Sequence, residues 1–353
     1  MTAEYPVVAP ASLLSEFAVA VFKKVGLTDE DAAIAADVLV QTDLRGVETH
    51  GLSNLARSYA LPLYQGEVNP RPQIRIVQEE LSTALMDGDN GLGLVGGVRG
   101  MEVAMRKAKT VGAGFVTMRN TQHFGMAAYY AMMALPHDMI GFSSTATGPS
   151  MSPTFGIQKI VGTNPISMAA PAGEEPPFVL DMACTVVANN KLRLAIERGQ
   201  RIPMGWALDG EGRPTTDPRV AREEGMGVPL GDTRELGSHK GYGLAVAVDI
   251  LGGILSGAGF SALFPPRQFV HTFGAIDIKA FRPVDDFKAM MDDMIRRLRA
   301  SQKAPGHDRI YVAGEIEHET AQYRRVHGIP LSPTTVKTLT DLSRQLNIPL
   351  QLS

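Results

Sequence analysis

Gly91-Leu-Gly93-Leu-Val-Gly96 is a literal G-x-G-x-x-G at the head of a helical pattern that runs to about Val111. Read as a dinucleotide fingerprint, it would make the chain a doubly wound parallel sheet. Two neighbours argue against that. Asp87-Gly-Asp-Asn90 sets a polar turn between the strand candidate Thr83-Ala-Leu-Met86 and the first glycine, whereas the fingerprint needs its glycine at the strand's end. After the next strand, Gly114-Phe-Val-Thr-Met118, the chain offers Arg119 in place of the acid that would bind a ribose hydroxyl. With 36 glycines in the chain, a chance match is easy. The Rossmann reading is rejected.

The 353 residues suggest about two domains. An apolar share of 44% supports a sizeable core and argues against disorder. With 34 basic and 37 acidic residues, the net charge of −3 gives no footprint for nucleic acid or an anionic membrane. One cysteine, Cys184, excludes an intramolecular disulfide framework, a four-cysteine zinc site and a CxxC pair, and no metal site is expected. A lone thiol fits a reducing compartment. Met1-Thr-Ala-Glu-Tyr-Pro6 has no basic segment leading into an apolar one. No apolar run approaches the ~18 residues of a membrane span. The expectation is a soluble cytoplasmic protein.

Upstream of the glycines, residues 10–25 read as a helix, and Thr28 with Asp29-Glu-Asp31 caps and charges the start of a second. Then comes Asp43-Leu-Arg45-Gly-Val-Glu48-Thr49-His50-Gly-Leu-Ser-Asn54-Leu-Ala-Arg57, dense in polar side chains. If the part after His50 is helical, His50, Asn54 and Arg57 share one face at i, i+4 and i+7. Such a face sets an imidazole beside groups able to hold an anion. Taken alone, His50 is better read as a histidine packed near a helix start. Gly66-Glu-Val-Asn-Pro70-Arg-Pro72 is a turn-rich exit, and Ile74-Arg-Ile-Val77 is a further strand candidate.

Downstream, Arg119-Asn-Thr-Gln-His123-Phe124-Gly125 puts His123 in a strand-to-helix loop, ahead of a helical run over 126–135. Residues 140–144 read as a strand and 145–165 as a turn-rich segment. Phe178-Val-Leu-Asp181-Met182-Ala183 is an apolar strand ending in an acid. Asp181 either caps a helix expected over 185–196 or contacts a ligand; local grounds leave both open. Past a loop over 202–218, Gly237-Ser-His-Lys240-Gly-Tyr-Gly243 opens an apolar helix over 244–255. A lysine there opposes the macrodipole by roughly 0.3–1 kcal/mol, while the glycines let a ligand approach the backbone. An anionic or hydroxyl-bearing ligand and a lysine snorkelling to solvent both fit. The methionines of 287–300 read as core. Tyr311-Val-Ala-Gly314-Glu315 reads as a strand ending in a turn, followed by helices over 317–326 and 332–346, the second with Ser332-Pro333 as N-cap and N1.

Together the motifs resemble the type-2 malate/L-lactate dehydrogenase family, with its ureidoglycolate and sulfolactate dehydrogenases, diketogulonate reductase and piperideine-carboxylate reductases. The matching pieces are Asp43-Leu-Arg-Gly-Val-Glu-Thr-His-Gly, Gln122-His-Phe-Gly, Gly162-Thr-Asn-Pro-Ile, Pro177-Phe-Val-Leu-Asp-Met-Ala, the Trp206 to Pro218 stretch, His239-Lys-Gly-Tyr-Gly-Leu and Gly314-Glu315. Each is weak alone, but they follow the family order over roughly residues 10–330. The resemblance implies an α/β fold on a large mixed sheet flanked by helices, with a non-Rossmann nicotinamide-binding region over 76–279. A helical part over 1–75, carrying the His50 motif, would pack with 280–353. It implies an oxidoreductase that moves a hydride between NAD or NADP and a small 2-hydroxy or 2-oxo acid, or a related carbonyl or imine, in a homodimer with the active site near the interface. By the same resemblance, His123, Phe124, Gly125, Thr147, Asp181, Met182, Ala183, Lys240, Gly314 and Glu315 stand at cofactor-binding positions. His50, His123 and the hydroxyl of Thr49 are the catalytic candidates, and Asn54 and Arg57 the substrate-binding ones. Two positions depart from the family: Thr49 replaces a serine, and Asn54 replaces an arginine that would clamp a carboxylate.

No side chain accepts a hydride, so the redox chemistry belongs to the nicotinamide, and an imidazole, His50 first, moves the proton. Two other readings are a catalytically impaired homologue with a binding role, and a non-redox lyase using His50, Asp181 and Lys240.

Overall fold

The computed structural model describes residues 7–352. Strand β1 (Val7–Ala9) leads into helix α1 (Ala11–Lys24), which buries Leu14, Phe17, Ala18, Val21 and Phe22 at helical spacing. Helix α2 (Asp29–Leu44) starts where the Thr28 hydroxyl accepts the Asp31 amide at 3.0 Å, with acids 29–31 against its positive end. The chain then turns at 48–50, tightens to a 3₁₀ turn (Leu52–Asn54) and widens into a π-helix (Leu55–Ala60) ending in α3 (Leu61–Tyr64). The common face expected for His50, Asn54 and Arg57 therefore does not form. Turn, 3₁₀ and π backbone advance by different angles per residue, so the i, i+4, i+7 rule has no single helix to act on.

Next come β2 (Arg75–Glu79), β3 (Thr83–Gly91), α4 (Gly93–Val111), β4 (Ala113–Thr121), α5 (Ala127–Met132), β5 (Met139–Ala146), β6 (Ile166–Ala170) and β7 (Phe178–Met182). An outer lobe follows: α6 (Asn189–Glu197), β8 (Ala207–Leu208), α7 (Pro218–Glu223) and β9 (Met226–Gly227). Helix α8 (Ser238–Val248) continues as a π-helix (Asp249–Ile254) into β10 (Phe269–Asp277). The chain closes with α9 (Val284–Ala300), α10 (Glu315–His327), β11 (Ile329–Leu331) and α11 (Pro333–Leu346). The 7-stranded sheet has the order β2-β3-β4-β10-β5-β6-β7. Only β3 and β4 pair in parallel, joined by α4; the other neighbours are antiparallel. β1 pairs with β11, tying the two ends of the described chain together.

The sheet is mixed, as the resemblance implies, but several local expectations differ. Asp87–Asn90 is no turn after β3; it is a bulge inside it, with Asp89 and Asn90 at φ 50° and 55° and a register shift between Asp87 and Gly91. The strand does reach the first glycine, and the glycines of α4 serve packing. A Cβ on Gly93 would stand 1.9 Å from the Gln122 carbonyl oxygen, so α4 lies directly on the loop carrying His123. β10, which the sequence reading leaves unassigned, is central because it is buried on both faces and does not alternate. Residues 311–314 are no strand; they pair only through the Val179 amide, which donates to the Ala313 carbonyl at 3.0 Å.

Gly93→Ala should lower unfolding free energy by about 1–3 kcal/mol, the usual scale for overpacking. Gly148→Ala, with nothing within 4 Å of the added Cβ, should leave it near wild type. Equal denaturant midpoints for the two variants would show that α4 does not depend on that close approach.

Candidate active site

The turn at 45–54 is held from several sides. The buried Asp43 carboxylate accepts the Leu52 amide at 2.8 Å, and Arg324 of α10 donates to the Asp43 carbonyl at 2.6 Å while pairing with Glu48. Burial pushes the Asp43 carboxyl up to about 7 against the Leu52 amide, which favours the ionised form. The Thr49 carbonyl accepts two side-chain amides, Asn54 Nδ2 and Asn190 Nδ2 of α6, each at 2.7 Å. Asn54 is only 7% exposed, and this bond gives it a positioning part beneath the turn. Arg57 is exposed on the π-helix and does not line the cleft.

So held, Thr49 brings its hydroxyl 2.8 Å from His50 Nδ1. The His50 ring stacks on that of His123, with centroids 5.6 Å apart and planes at 16°. His123 Nδ1 faces two donors, the Tyr59 hydroxyl at 2.7 Å and the Gly125 backbone N–H at 3.2 Å. A backbone N–H can only donate, so Nδ1 is the acceptor and the proton of the neutral ring sits on Nε2. Burial lowers His50 to about 4. His123 falls to about 3, through burial first and then the neighbouring imidazoles of His50 and His271. Burial pushes the Tyr59 phenol far above its ordinary value, so it remains a donor. At neutral pH this is a pair of uncharged imidazoles with one tautomer set.

A third histidine supports them. His271, fully buried in β10, bridges the Thr145 hydroxyl and the Gln122 carbonyl, both at 2.9 Å, and stacks on Phe124 with centroids 4.3 Å apart. Phe124 is thus wall structure behind the His123 loop. Sequence reasoning missed Tyr59, His271 and Asn190. Tyr59 sits in an apolar helical pattern, His271 in an unassigned strand and Asn190 at a helix start; no local signal marks any of them.

In front of His50 opens a cleft of about 1090 Å³ between the 45–50 turn, the end of β7, α6 and the start of α10. Thr49, Gly125, Asp181, Met182, Ala183 and Gly314 line it, so seven of the sequence candidates, with His50, meet on one wall system. Asp181 is open to the cleft yet enclosed by its walls, and this desolvation raises its carboxyl to about 6. One carboxylate oxygen accepts the Ala128 amide at 2.8 Å, so Asp181 caps α5 and not the helix that follows it in sequence. Gly314, at φ +88°, lies so close to β7 that a Cβ would stand 2.6 Å from that of Val179. Glu315 is buried: Arg309 and Arg299 pair with it and it accepts the Val312 amide at 2.9 Å, which stiffens that wall. Thr147 stands behind the lining, its hydroxyl accepting the Thr163 amide at 3.2 Å. Lys240 is exposed in the first turn of α8, away from the cleft lining.

A family model described as malate/L-lactate dehydrogenase matches residues 9–340. The malate dehydrogenase of Pyrococcus horikoshii is 43% identical over 345 residues, 96% of this chain and 95% of the relative. The L-sulfolactate dehydrogenase of Methanocaldococcus jannaschii is 39% identical over 94% of this chain and 95% of its own length. A solved structure of the Pyrococcus horikoshii malate dehydrogenase superposes with a TM-score of 0.91 at 41% identity, covering 98% of this chain and 97% of that one. With matches of that extent, the chain belongs to the malate/L-lactate dehydrogenase family and is an oxidoreductase acting on the CH–OH group of hydroxy acids.

Proposed function

We propose that the protein transfers a hydride between a nicotinamide dinucleotide, NAD or NADP, and a small 2-hydroxy or 2-oxo acid, with His50 moving the proton. The observation that carries this is the uncharged His50 on the wall of a cleft of about 1090 Å³, stacked on His123, which stands behind the lining. The residues present fit a dinucleotide. The cleft has its size, Asp181 offers an acceptor for hydroxyls, and the buried Arg45 Nε on the lining lacks any partner, as a group awaiting an anion does. When bound, the nicotinamide supplies the hydride acceptor or donor that no side chain provides.

The protein's own work is orientation and proton movement. His50, neutral and held by the Thr49 hydroxyl, takes the substrate hydroxyl proton in oxidation and returns it in reduction. His123 presents a fixed Nε2–H donor, suited to polarise the same oxygen while staying uncharged. Tyr59 holds the tautomer, and Asn54 with Asn190 holds the turn. Asn54 in place of a clamping arginine supports a substrate other than the simplest 2-hydroxy acids. A neutral imidazole would serve a lyase as well; what favours hydride transfer over a lyase or a binding-only homologue is the full-length likeness to malate and sulfolactate dehydrogenases.

A homodimer is part of the proposal. Leu244, Leu251, Ile254 and Leu255 form an exposed apolar stripe along α8 and its π-helical extension. On the sheet, Met168 and Ile276 stand exposed near an apolar pocket of about 510 Å³ floored by Ile140 and edged by Met290 and Met294. Apolar faces of this extent mark interaction surfaces, and a second copy of the chain is the partner we assign to them.

Three outcomes are expected. His50→Ala should slow the chemical step ~10²–10⁴-fold, read by single-turnover absorbance with a panel of 2-oxo acids; wild-type rates would end the assignment. Because His50 is lowered to about 4, its base form persists below the ordinary histidine range. Followed by its own NMR imidazole signals, His50 should therefore stay neutral from pH 7 to about 5 and take up a proton only as pH drops further, whereas protonation near 6.5 would mean a solvated His50. Light scattering should return twice the 37.9 kDa chain mass, and Leu255→Glu should shift it toward one; a monomeric wild type would refute the dimer.

A further inference from the structure

Arg45 sits at the C-terminal end of α2, 9% exposed, on the same cleft wall as His50. Its Nε is buried without a hydrogen-bond partner, and among the described residues no carboxylate forms an ion pair with it. The acids around it are engaged or stand off. Glu48 pairs with Arg324 and Asp181 accepts the Ala128 amide, while Glu317 and Asp181 act on Arg45 only at longer range. Burial opposes its charge first, and those two carboxylates offset part of that. A guanidinium does not shed its proton under such pressure. A buried, unpaired charge facing a cleft is a strong cost in the empty protein, and it is relieved when an anion arrives. The other cationic candidate on this segment, Arg57, is exposed elsewhere, and Asn54 has committed its amide to Thr49.

We propose that Arg45 anchors a bound oxyanion in this cleft, its planar fork donating paired hydrogen bonds to the carboxylate of the hydroxy acid or to a phosphate of the dinucleotide. This rests on the dehydrogenase reading of the cleft. It also accounts for how a chain with asparagine at position 54 can still hold an anionic ligand.

The test compares wild type, Arg45→Met and Arg45→Lys by calorimetric titration. One arm uses NADH and NADPH; the second uses oxalate, a stand-in for a 2-oxo acid, at saturating dinucleotide. Arg45→Met should weaken one ligand about 10- to 100-fold, the scale of a lost hydrogen bond to a charged group. Loss confined to oxalate identifies the carboxylate, and loss in the dinucleotide arm identifies the phosphate. Arg45→Lys, keeping charge without the fork, should fall between. A second readout separates anchor from scaffold: without ligand, Arg45→Met should melt at or above the wild-type temperature, because an unpaired buried charge has been removed. Should the Met variant fail to fold, the Lys variant carries the affinity comparison. If wild type binds and both variants bind equally well, the Arg45 assignment is overturned and the dehydrogenase reading stands. If wild type binds neither ligand, the reading of the cleft itself falls, and Arg45 with it.

Discussion

The site depends on how ten residues after α2 are kept from relaxing into a helix. Asp43 grips the Leu52 amide, Arg324 grips the Asp43 carbonyl and Glu48, and two asparagines grip the Thr49 carbonyl. Those partners come from α2, α10, α6 and the turn itself, so the turn's shape is a tertiary property. The backbone's departure from helix is what buries the imidazole pair, and burial is what keeps the pair neutral.

Neutral imidazoles in turn need a rigid floor. β10 supplies it, lying between β4 and β5 and holding His271 under the Gln122–Phe124 loop. The close seat of α4 on the same loop adds a second restraint. Desolvation, stacking and tautomer therefore follow from the packing of strands and helices whose own residues stand behind the cleft lining.

Much of this was legible in the sequence. Caps at Thr28 and Ser332 and the 3.6-residue spacing of α1, α4 and α11 mark their helices, because those signals are local. The ordered motifs brought His50, Asp181, Met182 and Gly314 to one cleft before any coordinates. Three things stayed hidden for a physical reason. β10 is buried on both faces, so it lacks alternation. Tyr59 acts through a partner 64 residues away, and a pair formed by folding leaves no spacing to read. Asn54 counts as a substrate contact only through the family resemblance; its bond to a backbone carbonyl stays hidden because side-chain identity alone does not say which way an amide turns.

The Thr49 carbonyl has two lone pairs, and both are taken: one by Asn54 beneath it, the other by Asn190 from the outer lobe. The turn that carries His50 is thus tethered to a helix on the far side of the cleft. Residues 54 and 190 therefore share one acceptor, so the loss of either amide is felt through the other. An arginine arriving at 54 would surrender half of that tether, leaving Asn190 to hold the turn alone.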